Sequence, residues 1–261
     1  MSLLVSGLAG LLGLLIGSFL NVVIYRVPAG ESVVSPRSRC PRCGTELAAR
    51  DNIPVLSWLF LRGRCRTCSE PISARYPLVE AGCAVLFALV AWHFVDTPLV
   101  IPAYLYLAAV GIALAAIDLD TRRLPDALTL PSYPVAAALL LIPAVGYHAW
   151  DAYLRAVLGG LALCAFYFLL VVIYPRGMGW GDVKLAGVLG AYLGWLGWNY
   201  VVVGGFLGFL LGGLVGGVLM VVGRAGRKSA IPFGPFMILG AFLAIFVGQA
   251  ISDWYLGILG R

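Results

Sequence analysis

Two aspartates lie at the ends of long apolar segments, where a carboxylate is costly and usually functional. Asp118 follows one such segment and Asp182 precedes another, in a chain with only 12 acidic residues. Two carboxylates that share a site do not both ionise easily, so one stays protonated while the other accepts a proton from water. Such a pair supplies a general base and a general acid for peptide hydrolysis without a nucleophilic Ser or Cys.

Each aspartate also has a structural interpretation. Asp182 ends a G-x-G-D pattern, and it can cap the start of a helix, a role that Asp often fills. Asp118 can be an interfacial charge that pairs with Arg122 or Arg123. A four-residue pattern does not decide between the structural and the catalytic hypothesis, so both stay open at this point.

Four cysteines form two C-x-x-C pairs, Cys40 with Cys43 and Cys65 with Cys68. This arrangement is typical of a tetrahedral zinc site. Because four thiolates leave no position open for water, we expect the metal to be structural. The alternatives are two disulfides or four idle thiols. Disulfides are disfavoured because the distribution of basic residues, described below, places this loop in the reducing cytoplasm.

The elements that carry these residues must be membrane helices. Of the 261 residues 61% are hydrophobic and 11% are charged, which excludes a soluble enzyme, a disordered chain and a collagen-like fibre. The apolar stretches do not alternate in polarity, so we predict an all-α polytopic membrane protein and not a β-barrel. We expect about eight transmembrane helices, at residues 3–24, 77–95, 98–117, 127–147, 154–174, 183–199, 200–223 and 234–257.

The basic residues predict how the chain crosses the membrane. Sixteen of the 18 Lys and Arg residues lie in alternate loops, and the basic side faces the cytoplasm. The net charge of +6 therefore marks membrane orientation and does not indicate nucleic-acid binding. We predict three parts: a first transmembrane helix at 1–25, a small cytoplasmic four-cysteine domain at 26–76, and a seven-helix membrane core at 77–261.

The order and spacing of its motifs show that the chain resembles the bacterial type IV prepilin peptidases. The matching segments are Gly17-Ser-Phe-Leu-Asn21 through Pro28, the block from Cys40 to Glu80, Ile117-Asp118-Leu-Asp120 through Pro125-Asp126, Gly179-Trp-Gly181-Asp182-Val-Lys184, and Ile231-Pro-Phe-Gly-Pro-Phe236.

The resemblance implies an aspartic endopeptidase of the bacterial inner membrane with two activities. The first cleaves the basic leader of type IV prepilins and type II secretion pseudopilins after a Gly on the cytoplasmic side. The resemblance assigns this step to Asp118 and Asp182, and leaves Asp120 and Asp126 as solvated acids. The second activity methylates the new N-terminal amine with S-adenosylmethionine in family members that carry the cysteine loop.

Two hypotheses from other classes compete with a peptidase. The first is a proton-coupled membrane transporter with a cytoplasmic metal-bound domain, in which intramembrane carboxylates relay protons. Against it, both acids are predicted at the same, cytoplasmic, side of the membrane, and no acid in the middle of a helix continues a path across it. The second is a non-catalytic assembly protein that uses the cysteine loop for docking.

Overall fold

The computed structural model describes residues 2–40, 42–175, 178–223 and 231–259, and these residues form helices and loops with no β-strand. The helices are α1 (Ser2–Arg26), α2 (Leu56–Phe60), α3 (Arg75–His93), α4 (Ile101–Thr121), α5 (Asp126–Thr129), α6 (Ser132–Gly146), α7 (Trp150–Ile173), α8 (Trp180–Leu196), α9 (Trp198–Val221) and α10 (Gly234–Leu259). The prediction of an all-α protein is confirmed.

Within the described residues, seven helical segments are long and apolar enough to cross a membrane. They correspond to seven of the eight predicted stretches. The remaining stretch, predicted at 183–199, is the 17-residue helix α8, and most of its residues are buried by other helices. Seventeen residues rise about 25 Å along the helix axis, which is short for a hydrocarbon core about 30 Å thick.

The chain divides into two compact units, Met1–Ala113 and Leu114–Arg261. In the first unit, α1 packs against α3 through glycines that let the two backbones approach. A Cβ atom added to Gly13 would lie 2.7 Å from the Cα of Ala84, and one added to Gly17 would lie 2.7 Å from the Cα of Glu80. Small residues at the contact are the usual basis of helix association in membranes.

The second unit repeats this use of glycine in two helix pairs. In the pair formed by α7 and α8, a Cβ atom on Gly159 would lie 2.7 Å from the carbonyl oxygen of Gly190. In the pair formed by α9 and α10, Gly240 faces the backbone of Gly208. Both pairs therefore place backbone against backbone, and a side chain at these positions would separate the helices.

Five of the basic residues in the orientation prediction lie outside the described residues: Arg176, Arg224, Arg227, Lys228 and Arg261. The division into segments 1–25, 26–76 and 77–261 stays a prediction.

Candidate active site and metal centre

Asp118 lies in the last turn of α4, with only 4% of its surface exposed. The helix ends three residues later, where Arg122 adopts a left-handed backbone (φ 54°) and donates its N–H to the Asp118 carbonyl oxygen at 2.8 Å. The carboxylate accepts a hydrogen bond from the backbone N–H of Gly234 at 3.0 Å. The anionic group of Asp118 is thus stabilised by a backbone amide and not by Arg122 or Arg123.

Gly234 is the first residue of α10, and the space in which a side chain would lie is already occupied by Asp118 and Leu124. A Cβ atom on Gly234 would lie 2.8 Å from Asp118 Oδ2 and 3.2 Å from Leu124 Cδ2. The N-terminus of α10 also carries the positive end of the helix dipole, which favours a nearby anion. Residues 231–236 form one of the segments that resemble the prepilin peptidases, and the glycine of this segment is the hydrogen-bond donor to Asp118.

Asp182 is buried in the first turn of α8. Its Oδ2 atom accepts the N–H of Gly179 at 2.9 Å, and its own N–H donates to the Gly179 carbonyl oxygen at 3.1 Å. The residue at the N-cap is therefore Gly179, and the interpretation of Asp182 as the N-cap was wrong by three positions. The carboxylate instead reaches back to the cap, as the acidic member of a capping box does.

The second unit places the two aspartates near one shared neighbour, Leu124. A Cβ atom on Gly181, the residue before Asp182, would lie 2.9 Å from Leu124 Cβ, and one on Gly234, the donor to Asp118, would lie 3.2 Å from Leu124 Cδ2. In contrast to Asp118, Asp120 is exposed.

A polar contact that the sequence did not predict joins the two motifs that carry these acids. Lys184 Nζ lies 2.6 Å from Asp126 Oδ1 and 2.8 Å from Oδ2. The hydroxyl of Tyr133 donates to the Lys184 carbonyl oxygen at 2.7 Å. Asp126 is exposed, as expected of a solvated acid, but its charge is used in an ion pair within the protein.

The first unit gathers the four cysteines of the two C-x-x-C pairs. The sulfur atoms of Cys40, Cys43, Cys65 and Cys68 all lie within 4.8 Å of one another, and all four are free thiols. The Sγ atoms of Cys40 and Cys68 are 3.8 Å apart. Zn–S bonds of about 2.3 Å in a tetrahedron place sulfurs about 3.8 Å apart, so the cluster has the dimensions that a metal requires.

The two halves of this cluster have the same local structure. In each half the residue after the second cysteine, Gly44 (φ 72°) or Ser69 (φ 58°), adopts a left-handed backbone and donates its N–H to the carbonyl oxygen of the first cysteine. Hydrogen bonds to the side chain and backbone of Thr45 lower the pKa of the Cys43 thiol to about 6. These hydrogen bonds favour the thiolate form of Cys43. At the equivalent Cys68, the hydrogen bond to the Glu70 backbone is outweighed by burial and by the neighbouring thiols, which raise the pKa to about 12.

Glu80 is a third buried acid, and it lies in the first unit. In the structure its Oε2 atom accepts the backbone N–H of Val55 at 2.7 Å. Because Val55 has a left-handed backbone (φ 60°), which is rare for a β-branched residue, Glu80 stabilises a strained entry into α2.

These features define a polytopic membrane protein with a buried aspartate pair in one unit and a four-thiol cluster in the other. Comparison with known proteins gives the family. The model of the bacterial peptidase A24 N-terminal domain matches residues 11–94, and the model of the type IV leader peptidase family matches residues 105–221. The chain belongs to the type IV leader peptidase family.

Full-length relatives support the same assignment. The chain is 38% identical to a protein of Stutzerimonas stutzeri over 94% of its own length and 91% of the relative's. It is 39% identical to one of Pseudomonas putida, over 97% and 94% of the two chains, and 38% identical to one of Aeromonas hydrophila, over 94% and 92%. All three are named prepilin leader peptidase/N-methyltransferase. No solved structure matches the chain significantly.

Proposed function

We propose that this protein is an intramembrane aspartic endopeptidase that removes the basic leader of type IV prepilins and type II secretion pseudopilins. It cleaves after a Gly on the cytoplasmic side, with Asp118 and Asp182 as the catalytic pair. The observation that carries this proposal is the burial of both carboxyl groups in one unit, near the same side chain of Leu124, where each accepts a backbone N–H. Family membership favours this function over the transporter hypothesis.

The pair works by general acid–base catalysis. One aspartate is ionised and accepts a proton from water as the water oxygen attacks the scissile carbonyl carbon. The other is protonated and donates to the carbonyl oxygen, which stabilises the tetrahedral intermediate. When the C–N bond breaks, a proton passes to the leaving amine and the aspartate pair returns to its shared single proton.

The substrate reaches the pair from the membrane. The apolar N-terminal helix of the prepilin lies in the bilayer, its basic leader stays in the cytoplasm, and the scissile bond unwinds between Asp118 and Asp182. The backbone at Gly179 lets an extended peptide approach, because this residue carries no side chain, whereas the space beside Gly181 is filled by Leu124. The mechanism thus needs an unwound segment only at the cleavage site.

A second activity transfers a methyl group from S-adenosylmethionine to the newly exposed N-terminal amine. Its support is the name that the full-length relatives share, together with the four-cysteine cluster. The metal we propose is zinc, held by Cys40, Cys43, Cys65 and Cys68 in a structural role. Bound there, zinc would stabilise a short segment whose own hydrophobic core is too small to do so.

The protein is a multi-pass component of the bacterial inner membrane. The distribution of Lys and Arg supports an orientation with the cysteine segment, Asp118 and Asp182 on the cytoplasmic side. The lipid bilayer and the prepilin or pseudopilin substrates are then its partners.

The test is a cleavage assay with detergent-solubilised protein and a prepilin, scored by the mobility shift of leader loss. We expect Asp118→Asn and Asp182→Asn each to abolish cleavage. The amide of Asn neither accepts a proton from water nor shares a proton with the remaining aspartate. The matched control is Asp120→Asn, which changes an exposed acid of the same motif and should still cleave. Near wild-type cleavage by Asp182→Asn would refute the pair.

The second activity is measured in the same reaction with a radiolabelled methyl donor. Label should enter the mature pilin only after cleavage, because the acceptor amine does not exist before it. Label in pilin treated with the Asp182→Asn variant would contradict this order. If the wild-type protein cleaves prepilin without transferring label, the peptidase activity is supported and the methyltransferase activity is refuted.

A further inference from the structure

The short helix α2 exposes apolar side chains in a place where no transmembrane segment lies. We define the α2 patch as Ile53, Leu56, Leu59 and Phe60, whose exposed fractions are 47%, 51%, 57% and 83%. None of the residues of α2 is buried. Exposed apolar side chains on the candidate spans are covered by lipid tails. The α2 patch lies in the loop between α1 and α3, so a different contact must remove its apolar surface from water.

The orientation of α2 is fixed by contacts on its other side. Trp58 donates its indole N–H to the Ile72 carbonyl oxygen at 3.0 Å. The same ring packs on Gly63, where an added Cβ atom would lie 2.9 Å from it. The one aromatic residue that packs inward is therefore Trp58, and the α2 patch forms the outward side of the helix.

A second set of contacts places α2 close to the start of a membrane helix. The N–H of Val55, at the entry to α2, donates to Glu80 at 2.7 Å, and Glu80 is the sixth residue of α3. Five residues of helix rise about 7.5 Å, so α2 begins level with the first turns of a span that starts at Arg75. That depth corresponds to the headgroup region of a bilayer.

Positive charge lies beside the α2 patch. Arg62 and Arg64 follow α2 directly, and both are exposed. In this unit, Arg42 forms an ion pair with Glu70, and Arg66 forms one with Asp51. Within the part of the chain that the structure describes, the guanidinium groups of Arg62 and Arg64 form no ion pair, so they are available to an anionic partner.

We propose that α2 is an interfacial membrane helix, with the α2 patch inserted at the boundary of headgroups and acyl chains and with Arg62 and Arg64 on the phosphates of anionic lipid. Apolar side chains next to basic ones are the composition of such helices. The positive charge of Arg62 and Arg64 attracts anionic lipid and repels the basic leader of a prepilin, so lipid is the favoured partner. This inference concerns the membrane attachment of the cysteine segment and does not depend on the proposed catalytic pair.

The experiment uses the full-length protein in nanodiscs with a photo-crosslinking side chain on α2. Phe60→p-benzoylphenylalanine places the probe in the α2 patch, and Ser57→p-benzoylphenylalanine places it on the same helix outside the patch. Discs contain either phosphatidylcholine alone or phosphatidylcholine with phosphatidylglycerol. After irradiation, mass spectrometry counts lipid adducts, dimer adducts and unreacted chain, and metal content checks that the cysteine segment is folded.

We expect lipid adducts at position 60 and few at position 57. Phosphatidylglycerol should raise the yield at position 60 by about fivefold for each of the two arginines, the factor that corresponds to about 1 kcal/mol per basic residue at an anionic surface. Combining the probe with Arg62→Gln and Arg64→Gln should remove this increase. In a second variant, Leu56→Glu with Leu59→Glu should lower the yield in both lipids while metal content is unchanged.

Three results would overturn the proposal. Equal lipid capture at positions 57 and 60, with no response to phosphatidylglycerol, would show random collisions with lipid. Crosslinked dimers in place of lipid adducts would identify the α2 patch as a surface for a second copy. Capture of added prepilin in place of lipid would identify it as a substrate surface, whether or not Asp118 and Asp182 are catalytic.

Discussion

The carboxylate of Asp126 and the ammonium of Lys184 lie 2.6 Å apart and join the two segments that carry the aspartate pair. Asp126 lies eight residues after Asp118, and Lys184 lies two residues after Asp182. Both ionic groups are at least a third exposed, so the pair contributes little to overall stability. Its value is geometric, because it sets the position of the first turn of α8 relative to the loop after α4.

Charge reversal tests this positioning role. Asp126→Lys or Lys184→Asp alone should lower kcat/KM for prepilin cleavage by roughly ten- to a hundredfold, since a misplacement of about 1 Å can cost about 10²-fold. The double variant Asp126→Lys with Lys184→Asp restores the attraction and should recover most of the activity. A double variant that is no better than either single one would show that the two charges act separately, for instance on the substrate.

Gly234 offers a test of the hydrogen bond to Asp118. In Gly234→Ala the new methyl group would lie 2.8 Å from Asp118 Oδ2, so the carboxylate must move and we expect cleavage to fall by about 10²-fold. The control is Gly257→Ala in the same helix, where an added Cβ meets nothing within 4 Å. Cleavage is measured by initial rates on prepilin. Equal rates for the two variants would contradict the positioning of Asp118 by Gly234.

The two glycines of the G-x-G-D motif should differ in their effect on stability. A Cβ on Gly181 would lie 2.9 Å from Leu124 Cβ, whereas one on Gly179 would come no closer than 3.5 Å to Asp182 Oδ2. We expect Gly181→Ala to destabilise the protein by about 1–3 kcal/mol through overpacking. Gly179→Ala should unfold near the wild-type Tm. Thermal unfolding in detergent measures both, and an equal fall in Tm would contradict the packing of Leu124.

The cysteine cluster predicts one metal ion per chain. Cys40→Ser removes one of four ligands, so we expect metal content to fall from about one ion per chain to near zero. The segment between α1 and α3 should then become sensitive to protease, because the metal no longer holds its two halves together. Cys164→Ser is the control, since Cys164 lies outside the cluster. Full metal content in Cys40→Ser would refute a site with four thiolates.

The sequence was sufficient to predict the helices because membrane spans are set by local composition. It was less successful at the ends of α8, predicted at 183–199 and observed at Trp180–Leu196. Gly197 ends this helix with an extended backbone (φ 160°, ψ 164°), and the first turn includes Asp182. A prediction from hydropathy starts the helix too late, because it leaves out the polar residues that cap it.

The site was predictable only in part, for a reason of distance along the chain. The cysteine pairs carry their geometry in their spacing, and the two acids are conspicuous in apolar surroundings. The contacts that orient them are not local: the Gly234 donor is 116 residues from Asp118, and Lys184 is 58 residues from Asp126. A Gly-Pro step at the start of the last helix was the available signal for Gly234, since Pro favours the first turn of a helix.

The dependence of Asp118 on α10 has a consequence for biogenesis. The ribosome delivers the chain from its N-terminus, so both aspartates are synthesised before Gly234. Until the last helix is inserted, the Asp118 carboxylate lacks its amide donor and the neighbouring helix dipole. Under the proposed catalytic role of Asp118, we therefore expect peptidase activity to appear only after α10 has been inserted and has supplied the Gly234 amide.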